Sequence, residues 1–292
     1  MGALGTNGVA VLLLIAFVQY QLRNGRPDNY YLKYRWQPSA CNLPRFDGTD
    51  FLKRNRNKRI MFVGDSISLN QWQSLACMLM ETTKPVPHYN SYRTGAVSTF
   101  TFLKHNVSVM FHRKAFLVDI VNKKYGRTVE LKSIHGGEIW DQMFDGVNLF
   151  KNMDKLVAYE MALNTWARWV EEEVDPNKTK VFFQAISPLA ARRKCMKATR
   201  PSTEATREPE AQVIVEKVLE SMSTKSNKYY KARPKVEVHL LDITRMSQER
   251  DDAHPSKYVN QHTIDCLHWC LPGLPDTWNN LLYAHLIRLY TW

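Results

Sequence analysis

Short, almost continuously apolar segments constrain the fold of this chain more than any other feature of its sequence. They are rich in Val, Ile and Phe, as β-strands are. They lie at 59–64 (RIMFVG), 98–103, 107–112, 115–121, 180–187 (KVFFQAIS) and 236–244. A strand that is apolar on both faces needs cover on both faces. These segments therefore predict a sheet enclosed between two layers.

Amphipathic helical patterns separate several of these predicted strands. Apolar residues recur at helical spacing in 68–80, 154–174 and 210–223. Strands that alternate with helices are typical of α/β proteins with a parallel sheet. We therefore predict an α/β three-layer sandwich with a mainly parallel central sheet. A length of 292 residues suits one such domain, and no segment has the composition of a domain linker.

An apolar segment close to the N-terminus indicates targeting. GVAVLLLIAFV (8–18) has eleven residues without a charge, about half of the roughly 20 that span a bilayer. It is typical of a signal-peptide core. We predict that residues 1–20 form a signal peptide or signal anchor, with a buried strand or helix as the alternative. Sequons at Asn106 and Asn177 predict N-glycosylation on a secretory route.

The net charge is +12, from 40 basic and 28 acidic residues, but the basic residues are scattered except at 53–59 and 191–200. A solvated basic surface explains this pattern, and an acidic polysaccharide or an anionic membrane is the alternative. No zinc-finger spacing or RNA-binding motif supports a nucleic-acid partner. CLHWC (266–270) lacks a second Cys/His pair at ligand spacing, so no metal site is predicted.

A serine directly follows the first predicted strand. In MFVGDSISLN (61–70) the strand runs through Gly64 and Asp65 to Ser66, where a helix begins. Ligands bind at the carboxyl ends of strands in open α/β sheets, and a helix N-terminus favours developing negative charge. Ser66 is therefore a candidate nucleophile with its own N–H in an oxyanion hole. The alternative is that Asp65 or Ser66 only caps the helix.

A candidate base lies near the C-terminus. In DCLHWCLPGLPDTW (265–278), Asp265 and His268 are spaced i, i+3, so the carboxylate can orient an imidazole that accepts a serine proton. The alternative is that His268 only packs beside a disulfide. Trp269 is interpreted either as a platform for a sugar or as a packing residue. Together with Ser66, this motif indicates serine-hydrolase-type chemistry.

Longer segments now resemble a known plant family. They are 24–48 (NGRPDNYYLKYRWQPSACNLPRFDG), 59–79, 106–121, 153–170, 174–188 and 265–283 (DCLHWCLPGLPDTWNNLLY). Over essentially 24–286 the chain resembles the trichome birefringence-like family, whose PC-esterase domain is related to GDSL/SGNH esterases. The resemblance implies an SGNH-like fold and a polysaccharide O-acetyltransferase in the Golgi lumen, held by a membrane anchor, with secretion to the cell wall as the alternative.

The resemblance assigns Ser66 as the nucleophile and makes Asp265 and His268 the rest of the triad. It implies that an acetyl group moves from a donor through an acetyl-serine to a hydroxyl of xylan, mannan, xyloglucan or pectin. The donor, acetyl-CoA or another acetyl carrier, is a co-substrate, and no tightly bound cofactor is expected. An acetylesterase or a catalytically impaired polysaccharide-binding member are the alternatives.

Four further residues are predicted substrate contacts: Gly64, Asp65, His254 and Trp269. His254 belongs to HPS (254–256), which looks like a retained element of the family. An exposed turn explains the same residues equally well.

The chain departs from the family pattern at two places. Family members carry a cysteine-rich segment before NGRPD, and we expect the short hydrophobic N-terminal segment to replace it here, ahead of the predicted catalytic domain at 24–292. The resemblance therefore leaves Cys195 with Cys266 as the expected bridge, and the other three cysteines lack partners: Cys41, Cys77 and Cys270.

The second departure lies between residues 139 and 140, where the family has a further strand and an Asn-Thr-x-His-Trp-Trp motif. The Asn of this motif resembles the oxyanion-hole Asn of SGNH enzymes, and losing one such donor costs about 100- to 1000-fold in turnover. NTWARW (164–169) imitates the motif but lies within a periodic helical pattern, so it is interpreted as packing.

Overall fold

The structure is a computed structural model of the 292-residue chain. It describes residues 29–290 with gaps at 40, 84–88, 115–117, 124–125, 131–133, 135–152, 189–197, 204–206, 225–234 and 256–265. The chain forms two compact units. The first unit comprises Met1–Ala115, Ser187–Thr206 and Arg245–Trp292, and the second comprises Phe116–Ile186 and Arg207–Thr244.

The described residues form both helices and strands, as in the α/β class. The strands are β1 (Arg59–Gly64), β2 (Tyr89–Thr94), β3 (Val97–Phe102), β4 (Val107–Arg113), β5 (Asp119–Lys123), β6 (Gly126–Glu130), β7 (Val181–Gln184) and β8 (Val238–Leu241). The helices are α1 (Gly48–Arg54), α2 (Ser66–Glu81), α3 (Lys155–Glu173), α4 (Glu210–Thr224), α5 (Thr244–Gln248) and α6 (Leu274–Tyr290). Short 3₁₀ helices lie at Tyr30–Lys33 and Asp251–Ala253. The predicted α/β fold class is confirmed, and the helices predicted over 68–80, 154–174 and 210–223 correspond to α2, α3 and α4.

The first unit contains a mixed four-stranded sheet in the order β1-β4-β3-β2. β1 and β4 are parallel, with Gly64 opposite Arg113. β2, β3 and β4 are antiparallel, because a two-residue loop joins β2 to β3 and cannot connect parallel strands. Gly95 in that loop has a φ of +57°, a conformation that glycine adopts without steric cost. The antiparallel half of this sheet was not expected from the apolar segments.

Helix α2 packs on this sheet through its tryptophan. The Trp72 ring lies 5.3 Å from that of Phe100 and 5.9 Å from that of Phe111, measured between centroids. Its Nε1–H donates to the carbonyl oxygen of Val109 at 3.1 Å. Leu75 on the same helix has no exposed surface. The apolar face that the sequence pattern predicted for α2 therefore packs against β3 and β4.

Helix α6 packs against α2 and is also tied to α1. The Asp50 carboxylate on α1 accepts hydrogen bonds from Arg54 Nε at 2.6 Å and from the Tyr283 hydroxyl on α6 at 2.7 Å. Burial of Asp50 disfavours its ionised form, but the two hydrogen bonds outweigh that effect and lower the pKa of Asp50. Helix α6 is therefore held both by its packing against α2 and by the hydrogen bond from Tyr283 to Asp50 on α1.

The second unit has its own core. β7 and β8 are parallel, with Val181 opposite Val238, and β5 and β6 form an antiparallel pair. α3 and α4 pack around a buried cluster that includes Leu163, Val170 and Phe183. A parallel pair of strands with a helix between them in the chain is the βαβ unit that the sequence predicts.

The NTWARW segment lies inside α3, as predicted. Trp166 packs edge-on against Phe183 with ring centroids 4.9 Å apart. The exposed Asn164 donates from Nδ2 to the carbonyl oxygen of Glu160, one turn earlier, at 2.8 Å. The packing interpretation of this segment is confirmed, because its asparagine faces solvent while its tryptophan enters the core.

The predicted targeting segment, residues 1–20, lies outside the described residues. Within the part of the chain that the structure describes, no helix combines the length and apolar character needed to cross a bilayer.

We predict that Leu75→Ala lowers the free energy of unfolding by about 3 kcal/mol, because it leaves a cavity at a fully buried contact. Urea unfolding of the full chain, followed by tryptophan fluorescence, measures the loss. Leu103→Ala is the matched control, since Leu103 is 52% exposed and its truncation should change the free energy by less than about 0.5 kcal/mol. Equal losses in the two variants would contradict the packing described for α2.

Candidate active site

Ser66 lies where β1 ends and α2 begins. Asp65, with extended backbone, caps the helix by accepting a hydrogen bond on Oδ1 from the Ile67 N–H at 2.8 Å. Ser66 is half-buried and is the first residue of α2. The capping alternative therefore holds for Asp65 and not for Ser66, whose side chain lies at the positive end of the helix dipole.

Gly64 allows the first turn of α2 to close onto the end of β1. A Cβ atom at this position would lie 2.2 Å from Ser68 Oγ and 2.9 Å from Ser68 Cβ. Any larger residue would displace the turn that carries Ser66. Gly64 and Asp65 thus shape this turn, and their predicted contact with substrate stays a prediction.

The segment around His268 is hydrogen-bonded to the same helix. Asn70 on α2 accepts on Oδ1 a hydrogen bond from the Trp269 backbone N–H at 3.1 Å. Asn70 lies four residues after Ser66, which is about 6 Å of helical rise. The peptide that follows the half-buried His268 is therefore bonded to α2 one helical turn after Ser66, and the pairing of Ser66 with His268 stays a prediction.

The third predicted triad residue, Asp265, lies outside the described residues. Cys266, the next residue, is disulfide-bonded, and its predicted partner Cys195 also lies outside them. Cys41 and Cys77 carry free thiols. Among the described residues, no group of His, Cys, Asp and Glu side chains could hold a metal ion.

Two predicted substrate contacts are buried instead. His254 and Trp269 are each 1% exposed, and their rings stack at 3.8 Å between centroids. Trp269 Nε1–H donates to Ser187 Oγ at 3.0 Å. Neither side chain offers a surface to a polysaccharide, so the assignment to substrate contact is corrected for both. The exposed-turn alternative for His254 is wrong too, and the packing alternative for Trp269 is the one that the structure supports.

A buried polar cluster, not anticipated from the sequence, joins α2 to α6. Asp276 accepts hydrogen bonds from the Ser74 hydroxyl on Oδ1 and from the Gly273 N–H on Oδ2, the latter at 3.2 Å. Asn279 donates from Nδ2 to Ser74 Oγ at 2.9 Å and to the Gln71 carbonyl oxygen at 3.0 Å. Because Gly273 follows His268 by five residues, this cluster holds the far end of the His268 segment on α2.

Burial raises the pKa values of two groups near the contact of α2 with α6. It raises the pKa of Asp276 to about 6, although the hydrogen bonds from Ser74 and Gly273 favour the ionised carboxylate. Burial, with the nearby Asp276 as a second cause, raises the pKa of the Cys77 thiol to about 12. Cys77 is therefore an unreactive thiol at neutral pH.

One signal in the sequence points to this face of α2. Ser66, Asn70 and Ser74 recur every four residues and so lie on one side of the helix. Polar residues at that spacing, within an otherwise buried helix, indicate a polar contact with a distant segment.

Comparison with known proteins identifies the family. The PC-Esterase family, described as a GDSL/SGNH-like acyl-esterase family found in Pmr5 and Cas1p, matches residues 43–145 and 128–285. Three relatives are Arabidopsis thaliana proteins. Trichome birefringence-like 39 is 44% identical over 90% of this chain and 77% of its own length. Trichome birefringence-like 43 is 42% identical, with 91% and 79% covered, and trichome birefringence-like 38 is 42% identical, with 91% and 76% covered. The chain belongs to the PC-Esterase family.

Membership of the PC-Esterase family confirms the resemblance stated from the sequence, and it places the chemistry with acyl esters. Ser66 and His268 both lie within the matched residues. The alignment with trichome birefringence-like 43 has 304 positions, which exceeds the 292 residues of this chain. That relative therefore carries residues that have no counterpart here. The comparison does not place them, and the gap after residue 139 stays a prediction.

We predict that Asp276 makes the fold less stable as pH rises from about 4 to about 7. Its pKa is raised from 3.8 to about 6 on folding, so the full stability is present below pH 4 and is lost as the buried carboxyl ionises. The loss amounts to about 3 kcal/mol. Asp276→Asn cannot ionise, so relative to wild type it should gain that amount between pH 4 and pH 7 in urea unfolding.

The control for this measurement is Glu208→Gln, which removes an exposed carboxylate. Its unfolding free energy should run parallel to that of wild type over the same pH range. Parallel profiles for Asp276→Asn and wild type would show that the Asp276 carboxyl titrates normally.

Proposed function

We propose that this protein is an O-acetyltransferase that moves an acetyl group from a donor, through an acetyl ester on Ser66, to a hydroxyl of a plant cell-wall polysaccharide. The donor is acetyl-CoA or another acetyl carrier, and the acceptor is xylan, mannan, xyloglucan or pectin. The observation that supports the proposal is that Ser66 begins α2 in a PC-Esterase chain and that the peptide N–H after His268 is bonded to Asn70 on the same helix.

In the first half of the reaction, His268 accepts the proton of the Ser66 hydroxyl while Oγ attacks the carbonyl carbon of the donor. The tetrahedral intermediate collapses, the donor group leaves with the proton from His268, and Ser66 carries the acetyl ester. Asp265 orients the imidazole in this scheme. A polysaccharide hydroxyl then gives its proton to His268 and attacks the ester, and His268 returns that proton to Ser66 Oγ as the bond from Oγ to the acetyl carbon breaks.

The start of α2 supports the charge that develops on the carbonyl oxygen. The first N–H groups of a helix have no acceptor within it, and Ser66 is the first residue of α2. Its N–H therefore lies beside its own Oγ, where an oxyanion forms. Such preorganised donors supply a large share of transition-state stabilisation in acyl transfer.

A second candidate is a family member that binds wall polysaccharide but transfers acetyl groups poorly. The family matches fall in two stretches that overlap at residues 128–145, around the predicted gap. If the gap is real, the oxyanion-hole Asn is absent. An acetylesterase is the same chemistry with water in place of the polysaccharide hydroxyl.

The decisive experiment incubates the full chain with acetyl-CoA and with xylan, mannan, xyloglucan or pectin oligomers. We expect acetylated oligomers, an added acetyl mass on the peptide that contains Ser66, and at least a 1000-fold loss in Ser66→Ala. Ser68→Ala changes another hydroxyl in the same helical turn and should keep the activity.

Equal transfer by wild type and Ser66→Ala would overturn the nucleophile assignment. Release of acetate without oligomer acetylation would identify an esterase. Oligomer binding without any acetyl transfer would favour the impaired member.

We also propose that the chain enters the secretory route to the Golgi membrane, with its catalytic domain in the lumen, and that secretion to the cell wall is the alternative. Asn106 and Asn177 are both exposed and lie in turns, which suits glycan attachment. We expect the protein isolated from plant cells to lose mass on digestion with an N-glycan-removing enzyme. An unchanged mass would contradict this route.

A further inference from the structure

The peptide bond between His268 and Trp269 is held on both sides by buried side chains. Its carbonyl oxygen accepts a hydrogen bond from His254 Nδ1–H at 2.8 Å. Its N–H donates to Asn70 Oδ1 at 3.1 Å. Asn70 is 4% exposed and His254 is 1% exposed. We call these two side chains, with the peptide between them, the peptide clamp.

We propose that Asn70 and His254 are positioning residues that fix the His268 imidazole relative to Ser66 through the peptide clamp. The proposal rests on the proposed function, in which His268 is the base for Ser66. In this proposal neither Asn70 nor His254 takes part in the bond changes. Each acts through the backbone of His268.

The peptide clamp fixes the His268 backbone relative to Ser66 because both are attached to α2, which is rigid. Ser66 and Asn70 are spaced i, i+4 and so lie on one face of α2. Trp72 and Leu75 hold the same helix on the sheet. A backbone that is hydrogen-bonded to Asn70 is therefore fixed relative to Ser66, and a displacement of about 1 Å between reacting groups is enough to cost about 100-fold in rate.

The second half of the clamp fixes the rotation of the peptide. A carbonyl oxygen only accepts hydrogen bonds, so His254 carries its proton on Nδ1. The His254 ring stacks on Trp269 with an interplanar angle of 26°, and Trp269 is itself held by Ser187. With both its C=O and its N–H engaged, the peptide plane resists rotation, and the direction in which the His268 side chain leaves the backbone is set.

Each hydrogen bond of the peptide clamp stabilises the folded chain. Removal of one partner leaves a buried polar group unsatisfied, which is unfavourable. Part of that cost appears as lost stability, and part as freedom of the His268 segment to move. Only the second part slows the chemistry of Ser66, so a positioning role is separable from a merely structural one.

The test uses the full chain and a fluorophosphonate probe. In this reaction the activated Oγ of serine attacks phosphorus, a P–O bond forms, and fluoride leaves with the serine proton passing to the base. No polysaccharide or acetyl donor is needed. The rate of labelling, measured across pH and divided by the folded fraction, reports the Ser66–His268 geometry.

Two pairs of variants isolate the clamp. Asn70→Leu and His254→Phe remove the acceptor and the donor while keeping the volume and, in the second case, the ring that stacks on Trp269. Asn70→Asp and His254→Asn retain an acceptor and a donor at nearly the same place. We expect the first two to lower the labelling rate about 10- to 100-fold, as for small misplacements of reacting groups, and the second two to restore most of it.

Gln73→Leu is the matched control, because Gln73 is a buried amide on α2 (8% exposed) outside the clamp, and it should label at the wild-type rate per folded molecule. Hydrogen exchange at the Trp269 amide should accelerate in Asn70→Leu. Faster exchange combined with wild-type labelling in Asn70→Leu and His254→Phe would overturn the clamp alone. Labelling that is absent, or that Ser66→Ala does not reduce, would overturn the proposed function and with it the role of the clamp.

Discussion

The burial of α2 is the constraint on which the rest of the candidate site depends. Trp72 lies against Phe100 and Phe111 and donates to the backbone of β4, while α6 packs against the same helix. A helix covered on two faces cannot tilt without opening a cavity on one of them. The packed core therefore fixes the position of Ser66 at the start of α2. Gly64, which has no side chain, lets the end of β1 approach the first turn of α2 closely.

The polar contact between α2 and α6 favours one relative position of the two helices. Ser74, Asp276 and Asn279 form hydrogen bonds to one another at this contact. Burial of the Asp276 carboxyl between the two helices raises its pKa to about 6. Polar contacts of this kind favour a single relative position of two helices, because any slip leaves a buried donor or acceptor unmatched. The same hydrogen bonds hold the chain segment between His268 and α6, because the Gly273 N–H donates to Asp276.

Local periodicity explains which parts of the structure were predictable. The α/β class, helix α3 and the packing of Trp166 follow from spacing within a few residues of one another. The antiparallel half of the first sheet does not, because it depends on the two-residue loop at Gly95. Contacts such as that between Asn70 and Trp269, which are 199 residues apart, leave no periodic trace. His254 was misassigned for the same reason: its burial comes from the stacking partner Trp269, and HPS alone has the composition of a turn.

The residues proposed to activate the serine lie in one compact unit of the chain. Ser66, Asn70, His254 and His268 all belong to the first unit, and none of them lies in the segment after residue 139 from which the family's Asn is predicted to be missing. Loss of the family's oxyanion-hole Asn would thus leave the residues proposed to activate the serine in place. Since one missing oxyanion donor costs about 100- to 1000-fold and not the whole rate enhancement, such a chain would be expected to acylate slowly, with the N–H of Ser66 as the remaining donor from α2.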